Sequence, residues 1–208
     1  MEELYTSDEH SNWLYEKYYY AGSNLRYFTF QVALNLLYQQ EKDNCVIIET
    51  GCQRQKDDLG AGMSTSIFGE YVSLNGGKVY TVDNCERHLD ICRECTEEYR
   101  LQIEYVLSDS ISFLKETSVI PDLLYLDSLD YPIGDNAGDV KMRDDAQIHC
   151  LNEFKAIEDR LKPETIVLID DNQLPEGGKP KLLKEYLHDK GWRCVLDFQQ
   201  SVWIKELY

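Results

Sequence analysis

Residues 46–51 read Val-Ile-Ile-Glu-Thr-Gly, and residues 60–65 read Gly-Ala-Gly-Met-Ser-Thr. A short apolar run that stops at a carboxylate and a glycine has the pattern of a buried parallel strand entering a tight turn. The glycines that follow allow backbone to approach a ligand closely. This is a nucleotide-type loop, with two departures from a dinucleotide fingerprint. Thr65 stands where a third glycine is wanted. Glu49 at the strand end repels a pyrophosphate and suits a cationic ligand.

The same pattern repeats outward along the chain. Strands are predicted at 46–48, 79–82, 103–107, 123–126 and 166–169, with helices at 64–74, 86–100, 111–115, 145–161 and 179–190. Upstream, a helix over 25–40 places Tyr27, Phe30, Ala33, Leu34 and Leu37 on one face. Residues 131–144 and 173–180 read as loops. Two last strands, 193–198 and 201–204, are joined only by Gln199-Gln200, a link that serves antiparallel neighbours alone. The fold class is therefore α/β: a Rossmann-like, doubly wound sheet, seven-stranded and mostly parallel, with one antiparallel edge strand and helices on both faces. Residues 1–44, with Trp13 and the run Tyr18-Tyr19-Tyr20, form an N-terminal helical cap or lid. Residues 45–208 form the α/β domain proper.

A length of 208 residues suits one such domain, and 43% hydrophobic with 28% charged residues is a globular composition. With 21 Lys+Arg against 38 Asp+Glu the net charge is −17, which disfavours phosphate backbones and anionic membrane surfaces. Divalent cations and neutral substrates are compatible with it. The start MEELYTSDEH has neither the basic opening nor the apolar run of a signal peptide, so a cytoplasmic chain is expected. Seven cysteines at irregular spacing fit reduced thiols better than a disulfide framework. Cys92-Arg-Glu-Cys95 has no second pair to complete a zinc site.

In sheets of this kind ligands bind outside the carboxyl ends of the strands. Here each parallel strand ends in polar or acidic residues: Glu49, Asp83, Ser108-Asp109, Asp127 and Asp170-Asp171-Asn172. An acid at the end of the second strand, Asp83, is placed to take ribose hydroxyls. The carboxylates near the fourth and fifth strand ends are hard oxygen donors of the kind that hold Mg²⁺ or Mn²⁺.

Taken together, E-T-G…G-A-G-M-S-T, V-Y-T-V-D-N at 79–84, S-D-S at 108–110, L-Y-L-D-S-L-D-Y at 124–131 and the terminal hairpin resemble the class I S-adenosylmethionine-dependent methyltransferases over residues 45–204. The resemblance implies a 3-2-1-4-5-7-6 sheet and S-adenosylmethionine as cofactor. Glu49, Gly51, Gly62, Ser64 and Thr65 would line its methionine and ribose side. Asp83 and Asn84 would bind the ribose, Asp109 and Ser110 would sit by the adenine, and Asp127 beside the cofactor. Residues 52–59 are an insertion in the glycine loop, from which Arg54 or Lys56 would reach the cofactor carboxylate or the substrate. Within the class the chain is similar to the metal-dependent O-methyltransferases of the catechol and macrocin-type sugar groups. That likeness implies an Mg²⁺ or Mn²⁺ held by Asp127, Asp170, Asp171 and Asn172. Where the catechol type has a lysine base, this chain has Asp130; His149 is the other candidate base. Each also reads as an ordinary loop acid or a structural histidine. The implied activity is O-methylation of a sugar hydroxyl on a small-molecule or glycan acceptor, with a phenol or catechol as the alternative. A nicotinamide-dependent oxidoreductase is the competing class, and a non-catalytic subunit a further one. The aromatic N-terminus is compatible with a homodimer.

Overall fold

The computed structural model describes residues 26–56 and 63–205. Helix α1 (Arg26–Tyr38) leads into β1 (Cys45–Thr50), α2 (Ser64–Asn75), β2 (Gly77–Asp83), α3 (Glu86–Cys95), β3 (Ile103–Leu107) and α4 (Ser110–Glu116). Then follow β4 (Leu123–Leu126), α5 (Ala137–Ile157), β5 (Ile166–Ile169), α6 (Lys181–Asp189), β6 (Trp192–Asp197) and β7 (Ser201–Lys205). The seven strands form one sheet in the order β3-β2-β1-β4-β5-β7-β6. β1 to β5 pair in parallel, while β7 runs antiparallel to both β5 and β6, so the terminal hairpin closes that edge of the sheet.

Alternation along the central strands divides two cores. Ile47, Leu123, Tyr125, Ile166 and Leu168 face Phe30, Leu34 and Leu37 of α1 and Ile67, Phe68 and Val72 of α2. Ile48, Leu124, Leu126, Val167 and Ile169 face Leu114 of α4, Phe154 and Ile157 of α5, and Leu183 and Leu187 of α6. Each β4 and β5 side chain is fully buried, as expected for strands covered on both faces. Of the expected N-terminal cap, 1–25 lies outside the described residues. The part that is described, α1, packs directly on the sheet.

Two predicted helices differ in extent. The helix expected at 145–161 begins eight residues earlier, at Ala137, where the Asn136 side chain accepts from the backbone N–H groups of Gly138 (2.9 Å) and Asp139 (3.1 Å). The helix expected at 86–100 stops at Cys95; next to its end the Thr96 hydroxyl bonds back to the Cys92 carbonyl (2.7 Å) and pairs with the Tyr105 hydroxyl (2.6 Å). No helix among the described residues is long and apolar enough to cross a membrane. All seven cysteines are free thiols.

Candidate active site

The site is assembled where β1 turns against the end of β4. Gly51 has φ +81°, and a Cβ there would lie 2.3 Å from the Asp127 carbonyl oxygen. Only glycine permits so close an approach in that conformation. Its N–H donates to the Val82 carbonyl (2.8 Å), so the ends of β1, β2 and β4 are drawn together.

Glu49 lies beneath this turn and is fully buried. Its Oε2 accepts from the hydroxyls of Thr65 (2.6 Å) and Thr81 (2.8 Å). Its Oε1 has no hydrogen-bond partner among the described residues. Burial pushes the carboxyl up to about 7, against the opposing pull of the Ser64, Thr65 and Thr81 hydroxyls. Thr65 also accepts from the Gln53 N–H (3.0 Å), so it clasps the loop to the strand end rather than opening on the cavity. Gly62 lies outside the described residues.

On the β2 side, Asp83 Oδ1 accepts from the Cys85 N–H (2.8 Å) and lies 3.2 Å from His88 Nδ1. Asp109 caps α4 by accepting from the Ser112 N–H (2.9 Å), a bond that lowers its pKa. The Ser110 hydroxyl lies 3.0 Å from His149 Nε2. Two adjoining cavities run along these residues. The smaller, about 60 Å³, is bounded by Gly51, Asp83, Asn84, Asp109, Ser110 and His149. The larger, about 250 Å³, is bounded by Gly51, Arg54, Ser64, Asp83, Asp127 and Asp130 among others. His149 thus opens on the cavity at Asp109, with Glu153 Oε1 3.6 Å behind it raising its pKa. Asp130 is gripped by both terminal nitrogens of Arg54 (2.8 and 3.2 Å), and this pairing holds its pKa down and weakens it as a base.

The acids at the ends of β4 and β5 come together as expected, but they are already neutralised from within the chain. Lys179 Nζ lies 2.7 Å from Asp127 Oδ1 and 3.1 Å from Asp171 Oδ2. Arg26 lies 3.2 Å from Asp170 Oδ1 and 3.5 Å from Asp171 Oδ1. The Tyr125 hydroxyl donates to Asp170 Oδ2 (2.5 Å) and Asp127 Oδ2 (3.2 Å), and itself accepts from Gln200 Nε2 (3.0 Å). Asn172 is turned away: its amide nitrogen donates to Asp197 Oδ1 (2.6 Å) and to the Phe198 carbonyl (2.5 Å), and its oxygen accepts from Lys184 (3.1 Å). The ligand set expected for Mg²⁺ or Mn²⁺ therefore does not fit an ion. Asn172 leaves it, and a lysine ammonium bridges two of the three carboxylates. Among the described residues no group of three or more His, Cys, Asp or Glu side chains is arranged to hold a metal. Neither Lys179 nor Arg26 was singled out by sequence position. The signal for Lys179 was the preceding Gly177-Gly178, which the sequence shows only as a loop marker.

The pieces fit S-adenosylmethionine better than they fit a metal. Gly51, Ser64, Asp83, Asn84, Asp109 and Ser110, all expected at the cofactor, line the two adjoining cavities, while Glu49 lies buried beneath the turn and lines neither. The sequence profile of the methyltransferase-domain family matches residues 58–172, more than half of the chain. No curated protein matches by sequence. Among solved structures, the chain is similar to the methyltransferase PaMTH1 of Podospora anserina with S-adenosylhomocysteine bound: 15% identity, 96% of this chain and 87% of that one, TM-score 0.60. It is similar to CalS11, a TDP-rhamnose 3′-O-methyltransferase of calicheamicin biosynthesis (14%, 88% and 81%, 0.57). It is also similar to an rRNA methylase of Streptococcus thermophilus (12%, 86% and 96%, 0.54). Fold, site and profile define a class I S-adenosylmethionine-dependent methyltransferase. The chain belongs to the methyltransferase-domain family, and the nicotinamide reading is set aside.

Proposed function

We propose that the chain methylates a hydroxyl of a sugar, on a glycan or small glycoside, with Asp127 as the general base. The observation that carries this reading is the position of Asp127. Its side chain is one-quarter exposed, on the wall of the 250 Å³ cavity that also reaches Gly51 and Asp83. S-adenosylmethionine, when bound, supplies an electrophilic methyl group. We assign its methionine end to Glu49, Gly51 and Ser64, its ribose to Asp83 and Asn84, and its adenine to Asp109, Ser110 and His149.

A sugar hydroxyl is a poor nucleophile until its proton leaves, so a base must stand at the acceptor oxygen. Burial beside Asp170 and Asp171 raises Asp127 well above the usual carboxylate range, with Lys179 opposing. The local charge count agrees with that direction: three carboxylates face two cations, leaving one negative charge in excess. A proton taken from the acceptor restores balance there. Asp130 and His149 are less suited, one held by Arg54 and the other facing the smaller cavity. A neutral acceptor accords with the net charge of −17, and the resemblance to CalS11 includes one sugar O-methyltransferase. On the same grounds we propose a cytoplasmic enzyme without nucleic-acid or membrane partners. A homodimer is a further expectation, to be read by sedimentation.

The test is a calorimetric titration of S-adenosylhomocysteine, followed by an acceptor screen over sugars, glycosides and phenols. Asp127→Asn is expected to bind the cofactor product within a few-fold of wild type while turnover falls about a hundredfold or more. Turnover near the wild-type level would remove Asp127 as base. Methylation of catechols alone would replace the sugar reading.

A further inference from the structure

We infer that Lys179 is the built-in cation of the acceptor site, a positioning residue standing in the place of a divalent ion and making the site independent of metal. The inference rests on the proposed role of Asp127 for its bearing on catalysis, but the cation site itself is read separately.

The lysine is delivered by the backbone. After β5 the chain passes through Asp171 at φ +53°, then returns through Gly177 (φ +94°) and Gly178 (φ +69°). A Cβ on Gly178 would lie 2.1 Å from the Asp171 carbonyl oxygen, so only glycine lets the loop double back so tightly. The Lys179 N–H then donates to that same carbonyl (3.1 Å). The side chain, 2% exposed, is thereby committed to the carboxylates at the ends of β4 and β5. A buried ammonium is costly unless paired, and this one is paired twice, at 2.7 and 3.1 Å. Tyr125 holds the far oxygen of Asp127 and Arg26 that of Asp171, so Lys179 fixes the direction in which Asp127 faces the cavity.

The charge count gives the inference its test. Asp127, Asp170 and Asp171 against Lys179 and Arg26 leave −1; without Lys179 the cluster carries −2, the complement of a divalent ion. Metal-stripped wild type holding S-adenosylhomocysteine is titrated with Mn²⁺ alone. No saturable heat that depends on Asp127 is expected. A heat that disappears in Asp127→Asn would overturn the proposal, because the carboxylates would then take an ion beside the lysine. A heat unchanged by Asp127→Asn belongs to the acidic surface and leaves the cluster with its lysine, as proposed.

In Lys179→Met, Mn²⁺ is expected to bind at least about tenfold more tightly than in wild type, and the gain should vanish when Asp127→Asn is added. A folded Lys179→Met that binds cofactor but shows no such gain would sink the idea. Should Lys179→Met fail to fold, the wild-type arm still decides. Lys179→Arg, which keeps the charge, should retain cofactor affinity. Failure of S-adenosylhomocysteine to bind wild type would instead count against the methyltransferase site, and the Mn²⁺ arms would stand apart from it.

Discussion

Glu49 shows how a single residue can be set against the stability of its own fold. Its carboxyl is fully buried and its pKa is pushed up to about 7 by that burial. An unfolded glutamate titrates near 4.3. The folded chain therefore binds more protons than the unfolded one between these values. The stabilising contribution of the protonated form is complete below the unfolded pKa and is lost as pH rises through about 7. In the protein without cofactor, Glu49→Gln should raise stability at pH 8 relative to wild type by about 3 kcal/mol, with little difference at pH 4. Denaturant unfolding of both proteins at the two pH values checks this. On the proposed assignment of the methionine end to Glu49, the same variant should weaken S-adenosylhomocysteine binding above about pH 7, where the wild-type carboxyl is charged. Asp127 has a related sign. As a base it acts only when unprotonated, so turnover should climb with pH on a limb above the ordinary carboxylate range, in the direction its burial imposes. A flat profile there would place the base elsewhere.

At the scale of elements, the strands were legible and the helix boundaries less so. Leu123–Leu126 and Ile166–Ile169 are unbroken apolar runs because both faces of the sheet are covered. In the first two turns of α5 the large apolar residues, Val140 and Met142, are exposed and form no buried stripe, so periodicity gave no sign of them; only the Asn136 cap marks the start. Those turns carry Arg143, which is 1% exposed and joins two rim loops. It donates to the Pro132 carbonyl (3.1 Å), to the Gly134 carbonyl, to Asp135 (3.1 Å) and to Glu176 (2.9 Å). Tyr131 and Gln147 add to the fastening: the Tyr131 hydroxyl donates to the Pro175 carbonyl (2.8 Å) and Gln147 Nε2 to that of Gly178 (3.1 Å). The two segments read from sequence as loops are thus tied to each other. Arg143→Ala removes a buried guanidinium together with its bonds to Pro132, Gly134, Asp135 and Glu176 and should cost about 2–3 kcal/mol in urea unfolding. Asn136→Ala, which removes only the cap, should cost about 1 kcal/mol. If Arg143→Ala were no worse than Asn136→Ala, the loops would not depend on that guanidinium.

At the scale of the molecule, the row of acids at the strand ends was visible because position along a parallel strand fixes which end of the sheet a residue reaches. The charges that answer them were not. Arg26 comes from the helix before β1, Lys179 from the loop after β5, and Arg54 from the segment after β1. Nothing local in the sequence pairs any of them with its acid. An acidic rim inviting a metal therefore became a largely compensated one, with Glu49 relieved by its raised pKa. The net charge of −17 must then reside mostly on the outer surface. There the like charges repel through water and are screened by salt. Raising ionic strength from 0.01 to 0.15 M shortens the screening length from about 30 to about 8 Å. The thermal midpoint should accordingly rise with NaCl over that range, and rise further with MgCl₂ only as far as its ionic strength explains. A step in stability at micromolar Mg²⁺, absent with NaCl at equal ionic strength, would reveal a specific divalent site and contradict the compensated rim.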